Sequence, residues 1–170
     1  MTPPLFGVAG WKNSGKTTLM SRLIEEFARR GYRVAALKHA HHAFDIDHEG
    51  RDSFRFRQAG ARQVGIVSGK RWAMMQENHD DPEIDFADMT RKFEGNDLLL
   101  VEGYKSQPFP KIEARSARTL TRDPLAKDDP TVVAVASDME TDAGGLPLFA
   151  LDDIAAIADF IEAHLGLKRR

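Results

Sequence analysis

The sequence of 170 residues predicts an α/β fold: a mostly parallel sheet flanked by helices, with a protruding β-hairpin. Three observations lead to this prediction. Strand-sized apolar runs alternate with segments of helical periodicity, a glycine-rich loop joins the first strand to the first helix, and two β-like runs meet across the turn Ser68-Gly69-Lys70. The glycine-rich loop over 10–17 matches G-x-x-x-x-G-K-[ST], which places the fold in the P-loop NTPase class.

Apolar spacing defines the elements of the first 60 residues. Leu19, Leu23 and Phe27 recur at the spacing of one helix face, and Gly31 stands where a helix C-cap belongs. Asp52 can cap the start of a short second helix. The predicted elements are a strand over 5–9, a helix from Thr17 to about Gly31, a strand over 32–38, and a helix over 53–59 that ends at Gly60.

The remaining elements follow from the same reasoning. The β-like runs 64–67 and 71–75 form the hairpin, which interrupts the alternation. Ligands of such folds bind at the carboxyl ends of the parallel strands, so the site is expected there. The further predicted elements are an amphipathic helix marked by Phe86, Met89 and Phe93, strands over 98–101, 111–115 and 131–136, and a closing helix over 151–161 with Asp152 and Asp153 in its first turn.

Composition restricts the classes of function. The absence of cysteine excludes disulfide scaffolds, iron–sulfur clusters and thiol nucleophiles, so any metal must take oxygen or imidazole ligands. With 24 Lys and Arg against 26 Asp and Glu, the net charge is −2, which argues against a globally basic nucleic-acid binder. The longest apolar runs are strand-sized, so we expect no membrane span and a cytoplasmic protein. The length suits a single domain over 1–170.

The small net charge conceals two segments of opposite sign. Residues 51–71 hold six positive side chains and one acid, whereas residues 77–88 hold six acids and no Lys or Arg. Two interpretations stay open: the segments pair within one subunit, or they pair across a dimer.

The glycine-rich loop is Gly10-Trp11-Lys12-Asn13-Ser14-Gly15-Lys16-Thr17, which matches G-x-x-x-x-G-K-[ST] at every fixed position. Backbone N–H groups of such a loop surround an oxyanion, and the following helix adds its positive N-terminus. We expect Lys16 to bridge the β- and γ-phosphates and the Thr17 hydroxyl to bind Mg²⁺. The predicted nucleotide-binding residues of this segment are Gly10, Asn13, Ser14, Gly15, Lys16, Thr17 and Thr18.

A second acid is expected where a core strand ends beside this loop. The all-apolar run 98–101 leads directly to Glu102 and Gly103. Glu102 is predicted to hold Mg²⁺, directly or through water, and to join Lys16 as a catalytic residue. The Gly103 N–H is expected to approach the γ-phosphate. Asp97, at the other end of the strand, is interpreted as a cap or turn residue.

The segment 38–48 contains four His and two Asp directly after a predicted strand. One interpretation assigns Asp45 or Asp47 to a switch that contacts Mg²⁺ or orients the attacking water, and Asp47 is taken as the third predicted catalytic residue. A second is a metal-delivery GTPase whose imidazoles bind Zn or Ni. A third is a loop whose side chains bond only to backbone and solvent. The imidazoles in question are those of His39, His41, His42 and His48.

Arg51, Arg55 and Arg57 support a different alternative. Guanidinium groups bind phosphate in a bidentate manner, so these three would clamp the acceptor of a small-molecule kinase. The other interpretation is the solvated face of a short helix.

Several sequence blocks occur together in one order: GWKNSGKTTL, KHAHHAFDID, GRDS, QAGA, KRWAMM, LVEGYK, PKIEA and VVAVASD. In this combination the chain resembles the MobB family, the GTP-binding adapter proteins of molybdopterin-guanine dinucleotide biosynthesis. The resemblance runs from about Leu5 to Ser137 and weakly on to Ile161. The P-loop alone indicates only a nucleotide, whereas the KHxHHxFDxD and LVEGYK blocks are far more specific.

The resemblance implies a cytoplasmic protein that binds GTP with Mg²⁺, hydrolyses it slowly and forms homodimers. It implies a MobA-type guanylyltransferase as partner, with molybdopterin-bearing proteins as further candidates, and neither nucleic acid nor membrane. The hairpin at about 64–76 is then the dimer element, whereas the alternative for its Trp72, Met74 and Met75 is core packing. The P-loop has no obvious arginine finger or catalytic Gln nearby, which agrees with slow hydrolysis.

One region departs from the family pattern. Residues 116–129 follow no block that can be aligned, and the guanine-reading motif [NT]-K-x-D is absent. The similar segment 126–129 precedes a strand, whereas the base-reading loop should follow one. Asp138 stands after a predicted strand and is the better candidate, because one carboxylate can accept hydrogen bonds from guanine N1–H and N2–H.

Overall fold

The computed structural model describes residues 2–40, 44–119 and 123–169. The chain forms two compact units, one comprising residues 1–39 and 90–170 and the other residues 40–89. The strands are β1 (Leu5–Ala9), β2 (Val34–Lys38), β3 (Gln63–Val67), β4 (Trp72–Gln76), β5 (Leu98–Glu102), β6 (Lys111–Arg115), β7 (Val132–Ser137) and β8 (Leu148–Ala150). The helices are α1 (Lys16–Arg29), α2 (Asp52–Gln58), α3 (Phe86–Arg91) and α4 (Ile154–Leu165), with short 3₁₀ turns at Ala117–Thr119 and Leu125–Lys127.

The first unit is built on a six-stranded sheet with the strand order β2-β5-β1-β6-β7-β8. All its pairings are parallel, so the carboxyl ends of the strands share one edge. The central strand β1 pairs with β5 through Val8 and Glu102 and with β6 through Ala9 and Glu113. The loop that follows β1 therefore emerges between β5, which ends at Glu102, and β6, whose middle residue Glu113 is level with the last residue of β1. The predicted α/β fold with a mostly parallel sheet is confirmed.

Two helices cover this sheet with apolar faces. The helix α1 buries Leu19, Met20, Leu23 and Phe27, and α4 buries Ile157, Ala158 and Ile161. These residues recur every three to four positions, so one face of each helix packs on the sheet. Strand β5 is apolar on both faces, and Leu98 to Val101 are fully buried. Each such aliphatic side chain contributes about 1.5–3 kcal/mol on burial.

Some predicted boundaries are wrong for local reasons. Asp52 is the first residue of α2 and not its cap, since Arg51 takes the N-cap position and no side chain caps that end. In the closing helix the cap is Asp153, whose carboxylate accepts from the Ala156 N–H at 3.2 Å, so α4 begins at Ile154. Strand β8 was not predicted, because a three-residue edge strand carries no periodic signal.

The second unit contains the predicted hairpin, which is thereby confirmed. Strands β3 and β4 pair antiparallel with Val67 opposite Trp72, and the Ser68 N–H donates to the Arg71 carbonyl at 2.9 Å to close the turn. Trp72 and Met74 are 74% and 63% exposed, so the core-packing alternative is wrong for these two side chains. Ile66 and Val67 are also exposed. This hairpin therefore presents apolar side chains to solvent in the single chain.

Within residues 2–40, 44–119 and 123–169, no helix combines the length and the apolar character that crossing a membrane requires.

Candidate nucleotide-binding site

The glycine-rich loop between β1 and α1 adopts left-handed backbone conformations that its sequence allows. Gly10, Asn13 and Gly15 have φ values of 146°, 69° and 88°. A Cβ atom at Gly10 would lie 2.5 Å from the Ser14 Oγ and 2.6 Å from the Ala114 carbonyl oxygen, so only glycine fits there. The loop thus curls tightly and leads into α1, which begins at Lys16.

The ammonium group of Lys16 is held at this loop. Its Nζ donates to the Trp11 carbonyl at 2.6 Å. Partial burial lowers the pKa of Lys16, the negative charge of Glu102 opposes this, and the charges of Lys105 and Lys38 reinforce it. Three lysine charges and one carboxylate therefore act on one another around the loop.

Glu102 is the acid that the sequence predicts at the end of β5. The Thr17 hydroxyl donates to its carboxylate at 3.3 Å, and the Lys38 ammonium lies 3.5 Å from the same group. A hydroxyl and a carboxylate at this distance are hard oxygen donors of the kind that Mg²⁺ prefers. Thr17 and Glu102, which the sequence assigns to Mg²⁺, thus come together and fit that ion.

Gly103 turns the chain sharply after β5. Its φ is 93°, and a Cβ there would lie 3.0 Å from the Cβ of His39. Tyr104 follows with a φ of 50° and stacks its ring on His39, with ring centroids 4.4 Å apart. The segment after β5 therefore packs closely against the residue that follows β2.

A cavity of about 650 Å³ opens beside the loop. Asp138 lies in its wall and accepts hydrogen bonds from the Ser116 hydroxyl at 2.7 Å and the Ala117 N–H at 2.9 Å. These two bonds, the first being the larger cause, hold the pKa of Asp138 below its usual value, so the carboxylate is ionised and oriented. Further lining residues are Asn13, Gly15, Thr18, Arg22, Arg118 and Leu151. The predicted base-reading carboxylate and the phosphate loop thus face one cavity.

Glu113 is a functional candidate that sequence reasoning missed. It is buried in the middle of β6 and accepts from the backbone N–H groups of Leu125 and Ala126 at 2.7 and 3.0 Å, and from Arg115 at 2.9 Å. Arg115 in turn donates to the Asp142 carbonyl at 2.6 Å. The only sequence signal was the presence of charged residues inside a predicted strand.

Asp47 belongs to the second unit. Its Oδ1 accepts from the Ser53 hydroxyl at 2.9 Å and the His48 N–H at 3.0 Å, and its Oδ2 lies 3.6 Å from Arg57. The carboxylate is nearly buried and fixed in orientation. The switch role assigned to Asp47 stays a prediction.

Arg57 is held by acids of its own unit. It donates to Asp45 at 2.8 Å and to Glu77 at 2.7 Å. Arg62 and Asp81 form another ion pair between the basic and acidic segments. These segments therefore pair within one subunit at these positions, and Arg57 does not present an open guanidinium for a kinase acceptor.

The proposed imidazole metal site falls partly outside the described residues, which exclude His41 and His42. Among the side chains that are described, no group of three His, Asp or Glu has the geometry to hold a metal ion.

A glycine-rich loop between a central parallel strand and a helix, with a lysine, a hydroxyl and a strand-end carboxylate around it, defines a protein with the fold of the P-loop NTPase class. The family model for MobB, described as molybdopterin guanine dinucleotide synthesis protein B, matches residues 5–138. The chain belongs to the MobB family, which confirms the resemblance seen in its sequence blocks.

Individual relatives agree with this assignment. The molybdopterin-guanine dinucleotide biosynthesis adapter protein of Haemophilus influenzae is 40% identical over 166 residues, covering 95% of this chain and 89% of the relative. The adapter protein of Escherichia coli K12 is 37% identical over 160 residues, covering 93% and 91%. The crystal structure of Bacillus subtilis MobB superposes with a TM-score of 0.75 at 27% identity, covering 98% of this chain and 99% of that one.

Proposed function

We propose that this protein binds GTP with Mg²⁺, hydrolyses it slowly, and uses this cycle as an adapter. As a member of the MobB family it is an adapter of molybdopterin guanine dinucleotide biosynthesis. The single observation that carries the nucleotide proposal is the meeting of Lys16, Thr17 and Glu102 at one loop that also borders the cavity of Asp138.

The triphosphate is proposed to lie along the loop from Gly10 to Thr18. Its oxygens would replace the Trp11 carbonyl as the partner of the Lys16 ammonium, bridging the β- and γ-phosphates. Backbone N–H groups from Asn13 to Thr18 would donate to the remaining oxygens, and that of Gly103 to the γ-phosphate. Thr17 and Glu102 would hold Mg²⁺, which would supply positive charge to neutralise the triphosphate.

The base is proposed to enter the 650 Å³ cavity, where Asp138 reads it. The carboxylate is already oriented by Ser116 and Ala117 and keeps lone pairs for guanine N1–H and N2–H. Adenine offers no such pair of donors, so this arrangement favours GTP over ATP.

Hydrolysis is assigned to Lys16, Glu102 and Asp47, with Asp47 sensing the γ-phosphate. Its fixed carboxylate, bonded to Ser53, supports a positioned acceptor. The absence from the sequence of an obvious arginine finger or catalytic Gln near the P-loop supports a slow intrinsic rate.

The adapter is proposed to act as a cytoplasmic homodimer with a MobA-type guanylyltransferase, and molybdopterin-bearing proteins are further candidate partners. We propose that residues 1–170 function as one domain. The hairpin at about 64–76 is the proposed dimer element of that domain. Its exposed Val67, Trp72 and Met74 support this, because exposed apolar clusters mark protein interfaces.

Calorimetric titration with GTP and ATP, each with Mg²⁺ and with or without a candidate guanylyltransferase, tests the proposal. We expect GTP to bind more tightly than ATP, with slow phosphate release and no phosphorylated product. Equal binding of the two nucleotides would contradict the base assignment, and failure to bind either would contradict the site.

A further inference from the structure

Trp11 of the phosphate loop contacts two lysines at once. Its carbonyl accepts from the Lys16 ammonium at 2.6 Å, and its ring carries the Lys105 ammonium 4.5 Å from the ring centroid. Lys16 is the lysine of the loop motif. Lys105 lies in the LVEGYK block, and no role has been assigned to it.

The backbone turn that brings Lys105 to the Trp11 ring is conformationally strained. Gly103 and Tyr104 are consecutive left-handed residues, with φ values of 93° and 50°. A non-glycine residue such as tyrosine rarely adopts a left-handed conformation, which persists only where the surroundings fix it. The stacking of Tyr104 on His39 provides such a constraint. The turn after β5 is therefore built to direct Lys105 back over the phosphate loop.

A hydrogen bond fixes the Trp11 ring against which the Lys105 ammonium lies. The indole N–H of Trp11 donates to the Asp123 carbonyl at 2.8 Å, which sets the plane of the ring. The Lys105 side chain itself is exposed, so its long stem can carry the ammonium away from the ring without disturbing the core.

The charges around the loop favour such a movement when a polyanion arrives. Lys38 is paired with Glu102, whereas Lys105 rests on a neutral ring. A hydrogen bond between two charged groups is stronger than an exposed cation–π contact. The Lys105 ammonium would therefore leave the Trp11 ring to bind a phosphate oxygen within its reach.

We propose that Lys105 is a γ-phosphate ligand supplied in cis, which rests on the Trp11 ring when no triphosphate is bound and leaves it for the γ-phosphate of GTP. The γ-phosphate is the expected target because Gly103, two residues earlier on the same turn, is assigned to it. This inference rests on the proposed function. In this role Lys105 would recognise the triphosphate through its γ-phosphate, and no acceleration of hydrolysis is assigned to it.

Trp11 provides a direct readout of this movement. The chain has two tryptophans, so Trp72→Phe leaves Trp11 as the sole indole. In this parent variant we expect a GTP analogue that cannot be hydrolysed to change Trp11 emission beyond any change caused by GDP. Lys105→Ala should remove the difference between the two nucleotides, because the ammonium no longer leaves the ring.

Affinity gives an independent measurement. Lys105→Ala should weaken binding of the GTP analogue about 10-fold or more and leave GDP binding nearly unchanged, since only the γ-phosphate contact is lost. Lys105→Arg should keep much of the preference for triphosphate, whereas Lys105→Met should behave like alanine. Lys92→Ala removes an exposed lysine of the same unit outside the site and is the control for net charge.

The outcomes separate the two proposals. A parent variant that binds neither nucleotide overturns the proposed function, and this inference with it. A parent that binds both, with Lys105→Ala retaining the same preference for triphosphate and the same emission difference, overturns this inference alone. Loss of the preference in Lys92→Ala to the same extent would likewise overturn it, because net charge would then explain the effect.

Discussion

The Thr17 hydroxyl and the Glu102 carboxylate lie 3.3 Å apart, although 85 residues separate them in the chain. The parallel pairing of β1 with β5 brings them together, because Val8 and Glu102 are register partners and Thr17 stands in the first turn of the helix that follows β1. One hydrogen bond thus joins the two groups to which Mg²⁺ is assigned.

Glu102→Gln tests this pair. Glutamine keeps the size of the side chain and an acceptor for Thr17 but removes the negative charge that a divalent cation needs. We expect GTP affinity measured with Mg²⁺ to fall about 10-fold or more, while affinity in EDTA changes little. Asp128→Asn, which removes an exposed acid outside the site, is the control. An unchanged Mg²⁺ dependence in Glu102→Gln would contradict the assignment.

Lys16→Ala should abolish measurable GTP binding. The ammonium is expected to bond to two phosphates, and each hydrogen bond to a charged group contributes about 1.5–3 kcal/mol, which corresponds to a loss of roughly 100-fold or more. Thermal unfolding of the variant should show an intact fold, because this ammonium donates its hydrogen bond to a carbonyl of its own loop and not to the core. Retention of GTP affinity would show that the loop does not bind triphosphate.

Asp138→Ala should reduce the preference for GTP over ATP about 10-fold or more, because two hydrogen bonds to guanine are lost. Ser116→Ala should weaken the preference less, since Ser116 only orients the carboxylate. Competition binding with the two nucleotides measures both. The lowered pKa of Asp138 means that its carboxylate stays ionised as the pH falls to 5, so the preference should persist there. Full discrimination by Asp138→Ala would assign base reading to another residue.

Acid stability is expected to depend on Glu26. Its carboxylate accepts from Arg29 and Arg30, and these bonds lower its pKa from 4.5 to about 2. A depressed pKa stabilises the folded state above the unfolded value, so this contribution is complete above about pH 4.5 and disappears as the pH falls towards 2. Urea unfolding across this range should show that Glu26→Gln costs about 1 kcal/mol at neutral pH and less in acid.

The matched control for this measurement is Glu25→Gln, at an exposed neighbouring position of α1. It should follow the pH dependence of the unsubstituted protein. A parallel pH profile for Glu26→Gln and the unsubstituted protein would contradict the role given to Glu26.

The hairpin prediction is tested by Trp72→Lys. Placing a charge at an exposed apolar position opposite Val67 should shift the protein towards monomer in sedimentation experiments, because burying that charge in an interface is costly. Trp72→Phe keeps an apolar ring and should retain self-association. Both variants should keep the unfolding midpoint of the monomer, since the side chain is exposed there. Undiminished dimerisation of Trp72→Lys would move the interface elsewhere.

Much of this fold and of its candidate site can be predicted from the sequence alone. The glycine-rich loop is recognised from four residues at fixed spacing, which are Gly10, Gly15, Lys16 and Thr17. The run Leu98 to Val101 indicates a buried strand by its composition alone. Glu102 follows from that strand, because parallel strands bring their carboxyl ends to one edge. The predicted Thr17–Glu102 association therefore needed only the order of the elements.

Other features depend on partners that are distant in sequence. The Glu113 carboxylate accepts hydrogen bonds from the backbone N–H groups of Leu125 and Ala126. No local sequence pattern indicates that these N–H groups contact Glu113. The short strand β8 exists because β7 pairs with it, and its three residues carry no period of their own. The wrong cap at Asp52 has a simpler cause: the helix begins one residue earlier than the pattern suggested.

The buried carboxylate of Glu113 has a thermodynamic consequence. It holds the backbone of Leu125 and Ala126 against the middle of β6, so the entropy of ordering that stretch is already lost when the chain has folded. Strand β6 pairs with β1, which leads directly into the glycine-rich loop, so the ordered stretch is attached to the strand next to that loop. Loss of these two bonds would release the stretch and restore its conformational entropy, so the order of Leu125 and Ala126 depends on this one side chain.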